Sequence, residues 1–202
     1  MGLVMKKILF LVTILALSVF TTACINNLAV QELNNKAAEY MQKGDYENAI
    51  SRLKSSVDLD PSVFETQYNL AVAYTENEDY EDAIEAYKAA INIKSDSKDA
   101  YYSMAVMYEN YAKDLFAGNT KEQKEKMDNE EDDEDNKTSL NEDGTFKPTE
   151  SDIEKVKQYY NSSIEAYEKY LELAADAKDA SDVDAHIQEL RTKLETLGTD
   201  TN

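Results

Sequence analysis

Apolar positions recur at helical spacing along most of this chain. Leu33, Ala37 and Tyr40 keep that period, and so do Ala49 and Leu53, then Leu70, Ala71 and Tyr74, then Ala83 and Tyr87. Between Phe64 and Tyr74 the apolar places (Phe64, Tyr68, Leu70, Ala71, Val72, Tyr74) are too dense for a stripe on one face, which predicts a helix buried between two neighbours. A longer run follows in Tyr101, Met104, Ala105, Tyr108, Ala112 and Leu115. Its counterpart is Ile153, Val156, Tyr160, Ile164, Tyr167 and Leu171. These two runs predict a long helical hairpin, about 98–116 against 152–176. Val183, Ile187, Leu190 and Leu194 predict a last helix over Ser181–Leu197, with Asp184, Glu189 and Lys193 outward and Gly198 as its stop. Asp45 and Asp79 stand where N-caps belong, Ser62–Glu65 and Ser151–Glu154 read as capping boxes, and Pro61 falls between helices.

The pattern repeats. Gly44-Asp45-Tyr46-Glu47-Asn48-Ala49-Ile50 returns 34 residues later as Glu78-Asp79-Tyr80-Glu81-Asp82-Ala83-Ile84. With Val30–Val63 and Phe64–Ser97 as units, Leu33, Lys36, Ala37 and Tyr40 align with Gln67, Leu70, Ala71 and Tyr74. Ala49, Leu53 and Pro61 likewise align with Ala83, Tyr87 and Ser95. A third unit opens with Tyr101, Met104, Ala105 and Tyr108, and its second helix arrives only at Ser163-Ile164-Glu165-Ala166-Tyr167. This resembles the tetratricopeptide repeat, in which small and large residues alternate so that paired helices nest. Lys36 and Tyr170 depart from that family's usual apolar and small residues. The resemblance implies an all-α, tetratricopeptide-like α-solenoid of about three helical hairpins with a C-terminal capping helix.

The front end has a different character. Met5-Lys6-Lys7, the apolar run Ile8–Phe20 and then Thr21-Thr22-Ala23-Cys24 have the layout of an export signal. The apolar run is shorter than the roughly 20 residues that a membrane span needs. Cys24 is the only cysteine. The segment resembles the bacterial lipobox, with Thr21 where that family usually has Leu, and this implies lipidation of Cys24. A non-lipidated leader and an uncleaved anchor are the competing readings, and a start at Met5 fits as well as one at Met1. The expected organisation is a leader over 1–23, a tether over 24–29, repeats over 30–116, an insertion over 117–150, the closing helices over 151–198 and a tail over 199–202. A lone cysteine leaves no internal disulfide, so packing alone must hold the fold.

Charge changes the picture of partners. The formal charge is −20; without Lys6 and Lys7 the remainder sets 19 basic residues against 41 acidic ones, or −22. Such a surface repels phosphate backbones, so nucleic acid is not an expected partner. Asp128–Asp135 holds seven acids in eight places, and Gly118–Glu150, poor in apolar residues, is expected to be mostly disordered. Asn141, Asp143, Gly144 and Glu150 match the third, fifth, sixth and twelfth places of a calcium loop, but Ser139 fills the first and Pro148 interrupts it. An acid-rich linker produces that match by chance, so no metal site is expected. The insertion nevertheless carries the alternative function, an acidic cation-binding surface protein.

No phosphate loop, nucleophile elbow or His–carboxylate pairing is visible, and His186 reads as a surface residue. Neither an enzyme nor a cofactor is expected. The resemblance implies a concave groove, lined by the second, fifth, ninth, twelfth and thirteenth places of each first helix. Carried over, its candidates are Asn34 and Ala38, then Tyr68, Val72 and Glu76, then Tyr102, Val106 and Glu109. Tyr68/Val72 and Tyr102/Val106 make an apolar ladder edged with acid. The competing reading packs these rings against the closing helix or each other. The carboxylate-clamp subtype needs basic residues in this wall, and none stands there. The expected function is a lipid-anchored, extracytoplasmic scaffold in a bacterial envelope, gripping an apolar or basic segment of another polypeptide.

Overall fold

A computed structural model describes residues 26–129 and 146–199. The leader, Cys24, most of the acidic run and the calcium-loop match before Phe146 lie outside the described residues. Every regular element described is a helix: α1 over 26–41, α2 Tyr46–Leu59, α3 Phe64–Glu76, α4 Tyr80–Ile93, α5 Lys98–Ala117, α6 Lys121–Asn129, α7 Glu150–Leu173 and α8 Ala180–Thr199. Residues 26–29 are already helical, so α1 starts ahead of the first repeat unit.

Neighbours in the chain are neighbours in space. The pairs α2–α3, α3–α4, α4–α5 and α7–α8 pack together, and α5 runs along α7 as the long hairpin. The repeat alanines explain the close approach. Ala49, Ala71, Ala83 and Ala105 have no exposed surface, because each lies where a larger side chain would hold two helices apart. Leu53 and Tyr87, at matching places of α2 and α4, fill the space between those contacts. In α3 the dense apolar pattern resolves into two sets: Leu70, Ala71 and Tyr74 are buried, while Phe64, Tyr68 and Val72 are half-buried.

Two turns of the same repeat show how local chemistry and tertiary need compete. Gly44 has φ +71°, a left-handed conformation open to glycine without penalty. Its counterpart Glu78 holds φ +60° despite its side chain. Asp45 caps α2 by accepting from the Asn48 amide at 3.3 Å. Asp79 precedes α4 in the same way but makes no such bond; it accepts instead from Asn77 and Lys121.

Several expected termini differ. Ser62 does not cap α3, since its hydroxyl and amide both go to Asp60 and Val63 takes the N-cap place. The box ahead of α7 is Thr149/Asp152 rather than Ser151/Glu154, which starts the helix at Glu150. Gly198 lies inside α8, which is described to Thr199.

The insertion is not wholly irregular at its start. Thr120 and Gln123 cap α6 reciprocally, and the Gln123 amide donates to the Leu115 carbonyl at 3.0 Å. Lys121 reaches Asp79 at 2.7 Å and Lys124 reaches Glu78 at 3.4 Å, clipping α6 to the α3–α4 turn. The expectation that Gly118–Glu150 lacks structure is therefore corrected for Lys121–Asn129. Gly118, at φ +74°, ends α5, and the Phe146 ring lies so close that a Cβ at 118 would meet it at 2.3 Å. Both ends of the insertion are held together there.

A candidate protein-binding groove and its closing helix

The first helices α1, α3 and α5 carry the groove candidates, and adjacent ones are tied by polar contacts. Tyr68 Oη lies 3.0 Å from Ser103 Oγ, which sets α3 against α5. Asn34 donates at 2.9 Å to the Val30 carbonyl, to Ser56 Oγ and to Thr66 Oγ1, joining α1, α2 and α3. Asn34 is thus a strut between three helices, and its buried Oδ1 accepts nothing among the described residues. Beside it opens a cleft of about 540 Å³, lined by Gln31, Asn34, Asn35, Asp60 and Glu65 among others.

Of the eight candidates, Ala38, Glu76 and Tyr102 are exposed, and Asn34, Tyr68, Val72 and Val106 are half-buried. The rings are held firmly. Tyr68 stacks on Phe64 at 5.8 Å between centroids and meets Tyr87 edge-on. Tyr102 lies edge-on to Tyr167 at 5.6 Å and to Tyr170 at 5.2 Å. One part of each ring packs inward and the remainder faces solvent, so the packing reading holds for the inner part of each. Glu76 accepts from Tyr46 Oη at 3.3 Å, and its charge raises the Tyr46 pKa. Glu65, Glu76 and Asp99 make no ion pair among the described residues, and no basic residue stands at the wall places.

Glu109 is the buried member. It receives Lys113 Nζ at 2.6 Å and lies 2.8 Å from His186 Nε2 of α8. Burial alone would raise its carboxyl, but the bonds to Lys113 and His186 prevail and hold it below the usual carboxylate range. His186 also lies 3.4 Å from Glu189 and edge-on to Tyr167. It is therefore not a plain surface residue, as the sequence suggested; it fastens the closing helix to α5. That helix buries Val183, Ile187 and Leu190 against the hairpin.

A second cluster lies at the far end of the long hairpin. Tyr80 stacks on Tyr111 at 4.7 Å, Tyr111 on Tyr159 at 4.2 Å, and Tyr108 on Tyr159 at 6.1 Å, a column linking α4, α5 and α7. Tyr80 donates to Asp114 and Tyr111 to Glu81. Burial first, and then these carboxylates, push both phenols far above their ordinary pKa. Both therefore stay protonated donors. Spacing revealed the helices but not this column, because Tyr80 and Tyr159 are 79 residues apart. The α6 cap was visible, however, since Thr120-Lys121-Glu122-Gln123 is a capping-box sequence. Among the described residues no cluster of His, Cys, Asp and Glu is arranged to hold a metal ion, and no helix is long and apolar enough to cross a membrane.

Nested helical pairs with an inner wall define a class of protein, the helical-repeat interaction scaffold. A tetratricopeptide repeat family model matches residues 34–100. Over residues 34–100 the chain is similar to the tetratricopeptide repeat, the fold of the whole agrees with it, and domains of that family generally bind other polypeptides. The first tetratricopeptide domain of human RPAP3 shares 16% identity, with 83% of this chain and 95% of that one covered and a TM-score of 0.53. MamA from Desulfovibrio magneticus RS-1, residues 41 to the end, shares 14% identity over 86% of this chain and 97% of that one, with a TM-score of 0.38. No curated protein matches the chain in sequence.

Proposed function

We propose that this protein is a non-catalytic docking scaffold, exported and held at a bacterial membrane through a lipid on Cys24, whose inner wall grips a basic, partly apolar segment of another polypeptide. The observation that carries the reading is the composition of that wall. Tyr68, Val72, Tyr102 and Val106 offer ring and methyl surface, while Glu65, Glu76 and Asp99 stand beside them without ionic partners among the described residues. Aromatics held in place by packing supply area at small entropic cost, and rim acids outside ion pairs favour a cationic partner and speed its arrival. The lipid anchor is supported by the layout of Lys6, Lys7, Ile8–Phe20 and Cys24. Two or more acyl chains suffice for stable attachment, at about 0.8 kcal/mol per buried CH₂.

The test follows from where the side chains sit. Replacing Tyr68 or Tyr102 by Ala would also remove core contacts, so charge reversal at exposed places is cleaner. The triple change Glu65→Lys, Glu76→Lys and Asp99→Lys leaves the packed rings untouched. In cells carrying a photo-crosslinker at Ala38, which is exposed on α1, the triple variant is expected to lose most of the crosslinked partner while keeping its helical melt. Undiminished capture would refute the groove. Replacing Cys24 by Ser should release the protein from the membrane fraction, and persistent attachment would remove the lipid reading.

A further inference from the structure

The two ends of the stack are finished differently. At the C-terminal end α8 covers α7, burying Val183, Ile187 and Leu190, and turns Asp184, Gln188, Glu189 and Arg191 to solvent. At the N-terminal end α1 has no such cover among the described residues. Its Ala29, Leu33, Lys36 and Tyr40 share one face, and with Arg52 of α2 they line a concavity of about 500 Å³. In the second repeat, the places matching Leu33, Lys36 and Tyr40 are Gln67, Leu70 and Tyr74, each buried at 8% exposure or less. Here Leu33 and Tyr40 are only half-buried, Lys36 is exposed, and nearby Leu28 is 68% exposed. Among the described residues it is a repeat interface with one side open.

The charge on that face says what completes it. Residues 26–63 carry six acids and four bases, nearly balanced in a chain of net −20. Like-charge repulsion between copies is therefore weak at this end of the chain. Glu32 and Arg52 both line the concavity, and neither is in a salt bridge among the described residues, while Lys36 of the same lining is paired with Glu39. A face holding one acid and one base outside salt bridges, a neutral ion pair and an apolar centre is complementary to itself under a two-fold axis. We propose that a second copy of this chain docks there, α1 against α1, with Leu33 and Tyr40 packed near the axis and Arg52 of each copy facing Glu32 of the other. This pairing does not depend on the inner wall, which stays free for a different partner.

The geometry allows a charge-swap test on the full chain, solubilised from membranes in mild detergent. Two differently tagged wild-type copies are expected to co-purify. Glu32→Arg should fail to pair with itself, and so should Arg52→Glu, each losing at least tenfold in co-purification. The mixture of Glu32→Arg with Arg52→Glu should pair again, because both cross-contacts regain opposite charges. Both sites are on the surface, so an unchanged helical circular dichroism melt keeps misfolding from mimicking the result. Absence of wild-type co-purification, or single variants that pair as well as wild type, would overturn the proposal. So would single variants that lose flotation with anionic phospholipid vesicles while self-association is unchanged, which would assign the face to the membrane.

Discussion

The first two repeats and the third are built on the same plan with different tolerances. In α2–α4 the contacts come from alanines with no exposed surface, Ala49, Ala71 and Ala83, and the helices are 13 or 14 residues long. In the third unit α5 and α7 extend to 20 and 24 residues, and their outer parts are held by the tyrosine column, by α6 and by Phe146 over Gly118. Regular repeats rely on small residues at fixed intervals. The stretched hairpin relies on rings and on a clip formed far along the chain. One arrangement is legible from periodicity; the other exists only once the fold has formed.

That contrast can be broken in order of expected effect. Leu53→Ala, at a site with no exposed surface, should cost about 2–5 kcal/mol and unfold the repeat core, read as a lower midpoint in urea. Ala83→Leu should cost roughly 1–3 kcal/mol by forcing α3 and α4 apart, and no loss would count against the repeat register. Gly118→Ala should cost about 1–2 kcal/mol through its left-handed backbone alone, with further loss from the Phe146 ring, and should hasten proteolysis near residue 118. Glu78→Gly acts in the other direction. It should raise stability by about 0.5–1 kcal/mol by relieving the positive φ, yet loosen α6 by removing the Lys124 contact, read as faster amide exchange in 121–129. The smallest effect is on pH. Glu109 is depressed in the folded state, so its contribution is present above the unfolded carboxyl value of about 4.3 and disappears as pH falls through the folded one. The acid side of a thermal-stability profile should therefore flatten in Glu109→Gln.

The repeat period, the paired helices and the closing helix were legible in the sequence because each depends on contacts within a unit or between adjacent units. Leu33, Ala49, Leu70 and Ala83 announce their places by spacing alone. Helix boundaries were less legible, since Ser62 and Ser151 offer plausible hydroxyls that the fold uses elsewhere or not at all as caps. The groove candidates could be listed from the sequence, but their surroundings could not. That Glu109 lies under His186, or that Tyr102 leans on Tyr167 and Tyr170, depends on pairings across 65 to 77 residues of sequence. Acid content alone made the insertion look structureless. It concealed Thr120 and Gln123, which needed only a helix start and two lysines facing Asp79 and Glu78.

The meeting of Phe146 with Gly118 has a practical consequence. Because Phe146 returns to Gly118, the two ends of the insertion stay together when its length changes, and by polymer statistics doubling a flexible connection costs only about 0.6 kcal/mol. Foreign cargo, such as a fluorescent domain or an affinity tag, could be spliced between residues 130 and 145 while the solenoid keeps its shape.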